Sequence, residues 1–156
     1  MTPTTRASIA AIALACCTAH AAEQPSPAPT DLALSAGLRE LLRAEMRELA
    51  QAMVTLAAAI PTADWQTVAT TAERVRASYV LDRDMDAAQR VELARLPVEF
   101  RLQDEDFHDR ARKLARDAST HDAEGATIQY ARLLEACTRC HASFAQSRFP
   151  GFAPQD

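Results

Sequence analysis

The chain has 156 residues, of which 48% are hydrophobic, 24% charged and 5% aromatic, and it contains three glycines. This length is enough for one domain with a hydrophobic core and too short for two. The scarcity of glycine argues against a β-sandwich, and the isolated Gly37, Gly125 and Gly151 exclude glycine-rich phosphate loops. The chain is rich in alanine, leucine, arginine and glutamate, so we expect an all-α domain.

Residues 1–21 have the pattern of a secretory signal peptide. One positive charge, Arg6, precedes the apolar run 7–17, and the small-residue site Ala19-His20-Ala21 follows it. The apolar run is too short to form a transmembrane helix. We therefore predict export to the periplasm with cleavage after residue 21.

Cleavage at this position changes the charge and the cysteine content of the chain. Arg6 is the one charge lost, so the formal net charge falls from −4 to −5, and no basic cluster remains that would predict nucleic-acid binding. Cys16 and Cys17 are removed, although their position after Leu14-Ala15 leaves a lipid anchor open as an alternative. The mature chain keeps only Cys137 and Cys140.

A flexible tether and the first two helices are predicted next. Prolines in residues 22–34 predict an extended tether that leads into the first helix, which runs from about Asp31 to Ile60 and ends at Pro61. Asp64 is a plausible N-cap of the second helix. Helical spacing predicts two apolar stripes, formed in the first helix by Leu42, Met46, Leu49, Met53, Leu56 and Ile60 and in the second by Trp65, Val68, Ala72, Val75 and Tyr79.

Two further helices complete the predicted domain, residues 35–148, before a C-terminal tail, residues 149–156. A connecting stretch, 82–95, has room for a short helix of its own, and Pro97 suits the start of the third helix. The apolar stripes consist of Phe100, Phe107, Ala111, Leu114 and Ala118 in the third helix, and of Tyr130, Leu134, Cys137, His141 and Phe144 in the fourth, which spans about 122–146. Four such helices predict one antiparallel up-down-up-down bundle.

The fourth helix carries the sequence CTRCH at residues 137–141. Residues i, i+3 and i+4 share a helix face, so Cys137, Cys140 and His141 are expected to point together toward the bundle interior. Two thiols at this spacing can each form a thioether with a haem vinyl group, and the imidazole can bind the iron, which is the c-type haem attachment signature. A thioredoxin-like pair would need a βαβ context. We therefore expect one covalent haem c on the C-terminal helix.

With this motif in its last helix, the chain resembles the class II cytochromes c, the cytochrome c′ family. The resemblance covers residues 35–144, from LRELLRAEMRELAQAM in the first helix to CTRCHASF in the last. It implies the same four-helix bundle, and it implies that His141 is the proximal iron ligand. Members of the family often dimerise through their first two helices, which leaves a homodimer open.

The resemblance also raises the question of the distal ligand. One branch of the family is five-coordinate and binds NO or CO beneath an apolar residue, whereas the other carries a first-helix methionine on the iron and transfers electrons. A methionine thioether stabilises ferrous haem. Met46 and Met53 lie one heptad apart on the first helix. Alignment with the family's first helix favours Met46, followed by Met53, and then by Met85 in the connecting stretch.

Four further polar residues are candidates for smaller roles. In the family a first-helix arginine lies near a haem propionate, so the resemblance gives this role to Arg39 or Arg43, with a solvated helix face as the alternative. His108 lies beside the third apolar stripe and is a candidate for a distal ligand or for a helix-edge residue. His121 is expected at a helix end. A zinc site is not expected, because the chain offers these two histidines but no second CxxC pair.

These observations predict a periplasmic monohaem cytochrome that carries single electrons between redox partner proteins. Cys137 and Cys140 would anchor the haem, with His141 proximal and Met46 distal. The sequence shows no Ser/His/Asp or paired-carboxylate arrangement, so no enzymatic turnover is expected. The alternative is a five-coordinate cytochrome c′ that binds NO or CO, in which Leu42 or Met46 covers the iron without bonding to it.

Overall fold

The computed structural model describes residues 31–78 and 81–152, without the side chains of residues 82 and 83. The predicted signal peptide, most of the tether, and Tyr79 of the second stripe lie outside the described residues. The described ranges contain no strand and form six α-helices and a 3-10 turn, namely α1 (Ala36–Ala59), α2 (Trp65–Arg76), α3 (Leu81–Asp84), α4 (Ala87–Ala94), α5 (Val98–Ser119), α6 (Ala123–Phe144) and the turn Pro150–Phe152. The predicted all-helical class is confirmed, and the connecting stretch holds two short helices.

Local sequence signals set the helix ends. Ser35 caps α1, with its side chain accepting a hydrogen bond from the backbone N–H of Leu38 at 3.3 Å. Asp64 caps α2 in the same way, as predicted, and α1 ends one residue before the Ile60-Pro61 pair. Asp122 caps α6 through the backbone N–H of Gly125 at 2.9 Å.

The helices pack around one apolar core, with α5 against both α2 and α6, and α1 against α2. α1 and α6 approach each other less closely than these pairs do. No helix in the described ranges is both long and apolar enough to cross a membrane. The core is formed mainly by Leu49, Ala52, Met53, Leu56, Val68, Ala72, Val75, Phe107, Ala111, Leu114, Ala118, Ala126, Leu133 and Ala136.

Two predicted stripes are wrong only in part: Leu49, Met53 and Leu56 of α1 are buried as predicted, whereas other positions are displaced by one residue. In the first half of α1 the structure buries Leu38 and Glu45, whereas Leu42 is only partly buried and Met46 is 39% exposed. The Glu45 carboxylate accepts a hydrogen bond from the backbone N–H of Leu81 in α3 at 3.2 Å, so α1 turns this residue inward. One residue corresponds to roughly 100° of rotation about a helix axis, which moves Met46 to the edge of the buried face.

The same displacement occurs in α6. Leu134 was predicted to be buried and is 43% exposed, whereas the preceding Leu133 is fully buried. The other buried residues of α6 are the small Ala126 and Ala136, and α6 packs against α5. The stripes of α2 and α5 are buried as predicted at Val68, Ala72 and Val75 and at Phe100, Phe107, Ala111, Leu114 and Ala118.

Candidate functional site

The last two turns of α6 carry Cys137, Cys140 and His141, and all three side chains are partly buried. Both cysteines are free thiols, and Cys137 packs against the edge of the core. The helix therefore brings the three predicted residues together on one side, as their spacing requires. Two thiols and an imidazole in this arrangement can hold a haem by two thioether bonds and one axial nitrogen.

Burial controls the charge state of the two thiols. It raises the pKa of Cys137, and it raises the pKa of Cys140 to about 11, with smaller contributions from the charges of Asp104 and of Cys137. Both side chains are therefore protonated at neutral pH. Because the thiolate is the reactive nucleophile, this environment does not favour a thiol–disulfide exchange site.

The imidazole of His141 is held by an aromatic residue that follows the helix. Burial lowers the pKa of His141, so the ring is neutral near pH 7, which is the form that binds metals. Its ring stacks on Phe149, with centroids 4.4 Å apart and planes 19° from parallel. Sequence reasoning missed Phe149, because it lies in the predicted tail and reaches His141 only through the turn in which its N–H donates to the carbonyl of Ala145.

Two hydrogen bonds join α1 and the segment before it to α6, and we call the region between them the α1–α6 groove. At one end the Tyr130 hydroxyl donates to the carbonyl of Met53 at 3.3 Å, and at the other the N–H of Leu32 donates to the carbonyl of Phe144 at 3.3 Å. Between these contacts, helical spacing places two apolar stripes along the groove. They consist of Leu42 and Met46 on α1 and of Leu134, Cys137 and His141 on α6.

The three candidate methionines have different surroundings. Met46 is 39% exposed on the edge of the α1–α6 groove. Met53 is 8% exposed and belongs to the core, and Met85 is 9% exposed between α3 and α4. Core packing therefore leaves only Met46, among these three, with a side chain that is more than slightly exposed.

Arg39 and Arg43 both have local contacts near the start of α1. The guanidinium of Arg39 donates to the carbonyl of Leu34 at 2.7 Å. Arg43 lies 3.9 Å from Glu40, and both of these side chains are largely exposed. The proposed contact of either arginine with a haem propionate stays a prediction.

His108 and His121 are held by local contacts. The Nδ1–H of His108 donates to the carbonyl of Val75 at 2.9 Å, and its Nε2 lies 3.6 Å from Asp104 Oδ1. His121 lies between α5 and α6, as predicted, and stacks on Trp65 at 6.1 Å. Within the part of the chain that the structure describes, no group of three or more His, Cys, Asp or Glu side chains could hold a metal ion.

The structure also buries a carboxylate that sequence reasoning did not predict. Glu45 is 2% exposed, although glutamate is rarely buried without partners. It contacts the backbone of Leu81, and its charge raises the pKa of His108. The spacing of apolar residues carried no signal for this position, because it placed Met46 on the buried face.

Comparison of the chain with protein-family models, curated proteins and solved structures gives no match.

Proposed function

We propose that this chain is a periplasmic monohaem c-type cytochrome that transfers single electrons between redox partner proteins. One observation carries the proposal: two protonated free thiols and a neutral imidazole lie together on the last turns of α6. The resemblance of CTRCHASF to the cytochrome c′ motif supports the same function.

The contacts between helices support the antiparallel up-down-up-down arrangement of that family. Short turns join α1 to α2 and α5 to α6, and each of these pairs packs side by side. Across the bundle, Leu32 before α1 contacts Phe144 at the end of α6, and Met53 near the end of α1 contacts Tyr130. Residue numbers thus rise along α1 as they fall along α6.

The residues around the α1–α6 groove fit a haem. The two thiols supply the covalent anchors, and His141 supplies a neutral nitrogen. The apolar surfaces of Leu42, Met46 and Leu134 are partly exposed, and a bound macrocycle would cover them and exclude water. Haem iron, when bound, supplies reversible one-electron chemistry, and the protein's part is to hold its ligands fixed.

Met46 is the distal ligand in this proposal. Its side chain lies on the edge of the groove, whereas the thioether of Met53 is enclosed by the core. A soft thioether opposite an imidazole stabilises the ferrous state and raises the reduction potential, as an electron carrier requires.

The second candidate is a five-coordinate cytochrome c′ that binds NO or CO. Its support is the 39% exposure of Met46, because a partly exposed side chain is held in position less firmly than a buried one. In this case Leu42 or Met46 would restrict access to the iron without bonding to it, and the chain would bind gas rather than carry electrons.

The optical spectrum of the purified ferrous protein, recorded before and after addition of CO, distinguishes the two candidates. The electron-carrier proposal predicts sharp α and β bands that do not change with CO in the wild-type protein. Met46→Ala should give a high-spin spectrum that shifts with CO, whereas the matched variant Met53→Leu should keep the wild-type spectrum.

Two results would contradict these assignments. A low-spin, CO-resistant Met46→Ala protein would exclude Met46 as the ligand, and an immediate CO shift in the wild-type protein would favour gas binding. A pyridine haemochrome assay without covalent haem would refute both candidates.

A further inference from the structure

The buried stripe of α5 contains a polar residue, Gln103. It lies three residues after Phe100 and four before Phe107, and both of these rings are buried. Gln103 Oε1 is itself buried, and it accepts no hydrogen bond from the described residues. A buried acceptor without a donor destabilises the fold, so a donor that reaches Gln103 Oε1 would complete this site.

The contacts between α5 and α6 place Gln103 at the level of His141. The guanidinium of Arg139 donates to Asp106 at 3.2 Å, and the rings of Phe100 and Phe144 meet edge to face with centroids 5.5 Å apart. Along α5, Gln103 lies midway between Phe100 and Asp106. Along α6, His141 lies between Arg139 and Phe144. The charge of Asp104, next to Gln103, also acts on Cys140, next to His141.

His141 needs the acceptor that Gln103 offers. An imidazole that binds iron through one ring nitrogen carries a proton on the other, and metal-bound histidines almost always donate that proton to a carbonyl, carboxylate or water. The stacking contact with Phe149 covers a face of the His141 ring and leaves the ring edge with its nitrogens uncovered by that contact.

We propose that, when His141 binds haem iron, Gln103 Oε1 accepts the ring N–H of His141 and so fixes the orientation and basicity of the proximal ligand. This inference rests on the proposed function, in which His141 binds haem iron. Gln103 is a positioning residue, because it acts through His141. As a neutral acceptor, it would give the imidazole less negative character than a carboxylate would.

The reduction potential of the haem-loaded protein tests this role, with Gln103→Glu and Gln103→Leu as variants. The carboxylate should stabilise the ferric state and lower the equilibrium constant for reduction about tenfold, which is about 59 mV for one electron. Leucine removes the acceptor and should shift the potential in the opposite direction. Shifts of opposite sign are not expected from loosened packing alone.

Gln129 provides a matched control. Its Oε1 is also buried and has no hydrogen-bond partner among the residues that the structure describes, but it lies twelve residues before His141 on α6, about 18 Å along the helix. Gln129→Glu and Gln129→Leu should leave the potential at the wild-type value. Gln103→Leu is close to isosteric and removes an unpaired acceptor, so it should fold even where a buried glutamate prevents folding of Gln103→Glu.

The outcomes separate this inference from the proposed function. A haemochrome assay that finds no covalent haem in the wild-type protein refutes the proposed function, and the inference with it. Haem-loaded Gln103 variants whose potentials equal those of the wild type, or follow the Gln129 variants, overturn the inference alone.

Discussion

At the scale of single residues, His108 is the side chain whose surroundings predict a dependence of stability on pH. Burial of its ring disfavours the charged form, but the hydrogen bond and charge of Asp104, the carbonyl of Val75 and the charge of Glu45 outweigh that effect and raise the pKa of His108 above 6.5. These groups come from α5, α2 and α1, so the raised pKa depends on the folded arrangement.

We expect the protonated ring to stabilise the folded state. Because the folded pKa lies above the unfolded value, this contribution is complete below pH 6.5 and is lost as the pH rises through the folded pKa. His108→Gln keeps a side-chain donor near the carbonyl of Val75 but cannot titrate. Urea unfolding across this pH range should show a fall in the stability of the wild type relative to His108→Gln, and parallel curves for the two proteins would contradict the assignment.

At the scale of helices, the repeat of apolar residues predicted where the helices lie in the sequence better than it predicted which side chains they bury. Val68, Ala72 and Val75 of α2 and the stripe of α5 are buried as predicted, because these two helices pack against each other and each also packs against a further long helix. In α1 the sequence could not show that the backbone of Leu81 would bind Glu45 and turn Met46 aside.

Only the part of the candidate site that lies on a single helix could be predicted from the sequence. Cys137, Cys140 and His141 follow from their spacing on one helix. The roles of Phe149 and Gln103 do not follow from spacing. The contact of Phe149 with His141 depends on a turn after α6, and the position of Gln103 relative to His141 depends on how α5 and α6 are aligned. Contacts that join separate elements leave no repeat in the sequence.

Adjacent leucines in α6 test this view of the helix. Leu133→Ala should lower the free energy of unfolding of the haem-free chain by about 2–5 kcal/mol, because Leu133 is fully buried. Leu134→Ala, at 43% exposure, should cost less than about 1 kcal/mol. Chemical denaturation measures both values.

The haem-loaded protein gives the second half of this test. If the α1–α6 groove holds the haem, Leu134→Ala should destabilise the loaded protein more than the haem-free chain. An equal cost in the two forms would place the cofactor away from Leu134.

At the scale of the whole molecule, the helices differ in what their apolar side chains contact. α2 and α5 bury their apolar faces in the core, whereas α1 and α6 also carry the partly exposed apolar residues of the α1–α6 groove. If the protein binds haem as proposed, its loss in Cys137→Ala/Cys140→Ala should speed amide hydrogen exchange in α1 and α6 and leave the centres of α2 and α5 protected. Hydrogen exchange measured peptide by peptide checks this, and a uniform loss of protection would argue that haem supports the entire core.

The positions of the contacts along the chain also have a consequence for folding kinetics. The turns between α1 and α2 and between α5 and α6 are short, so these pairs meet after closure of small loops. The contacts that join α1 and the segment before it to α6 and the segment after it span far more chain, 77 residues from Met53 to Tyr130 and 116 residues from Asp31 to Ser147. Contacts distant in sequence form slowly. We therefore expect the two helix pairs to assemble first and the side that carries the cysteines to close last.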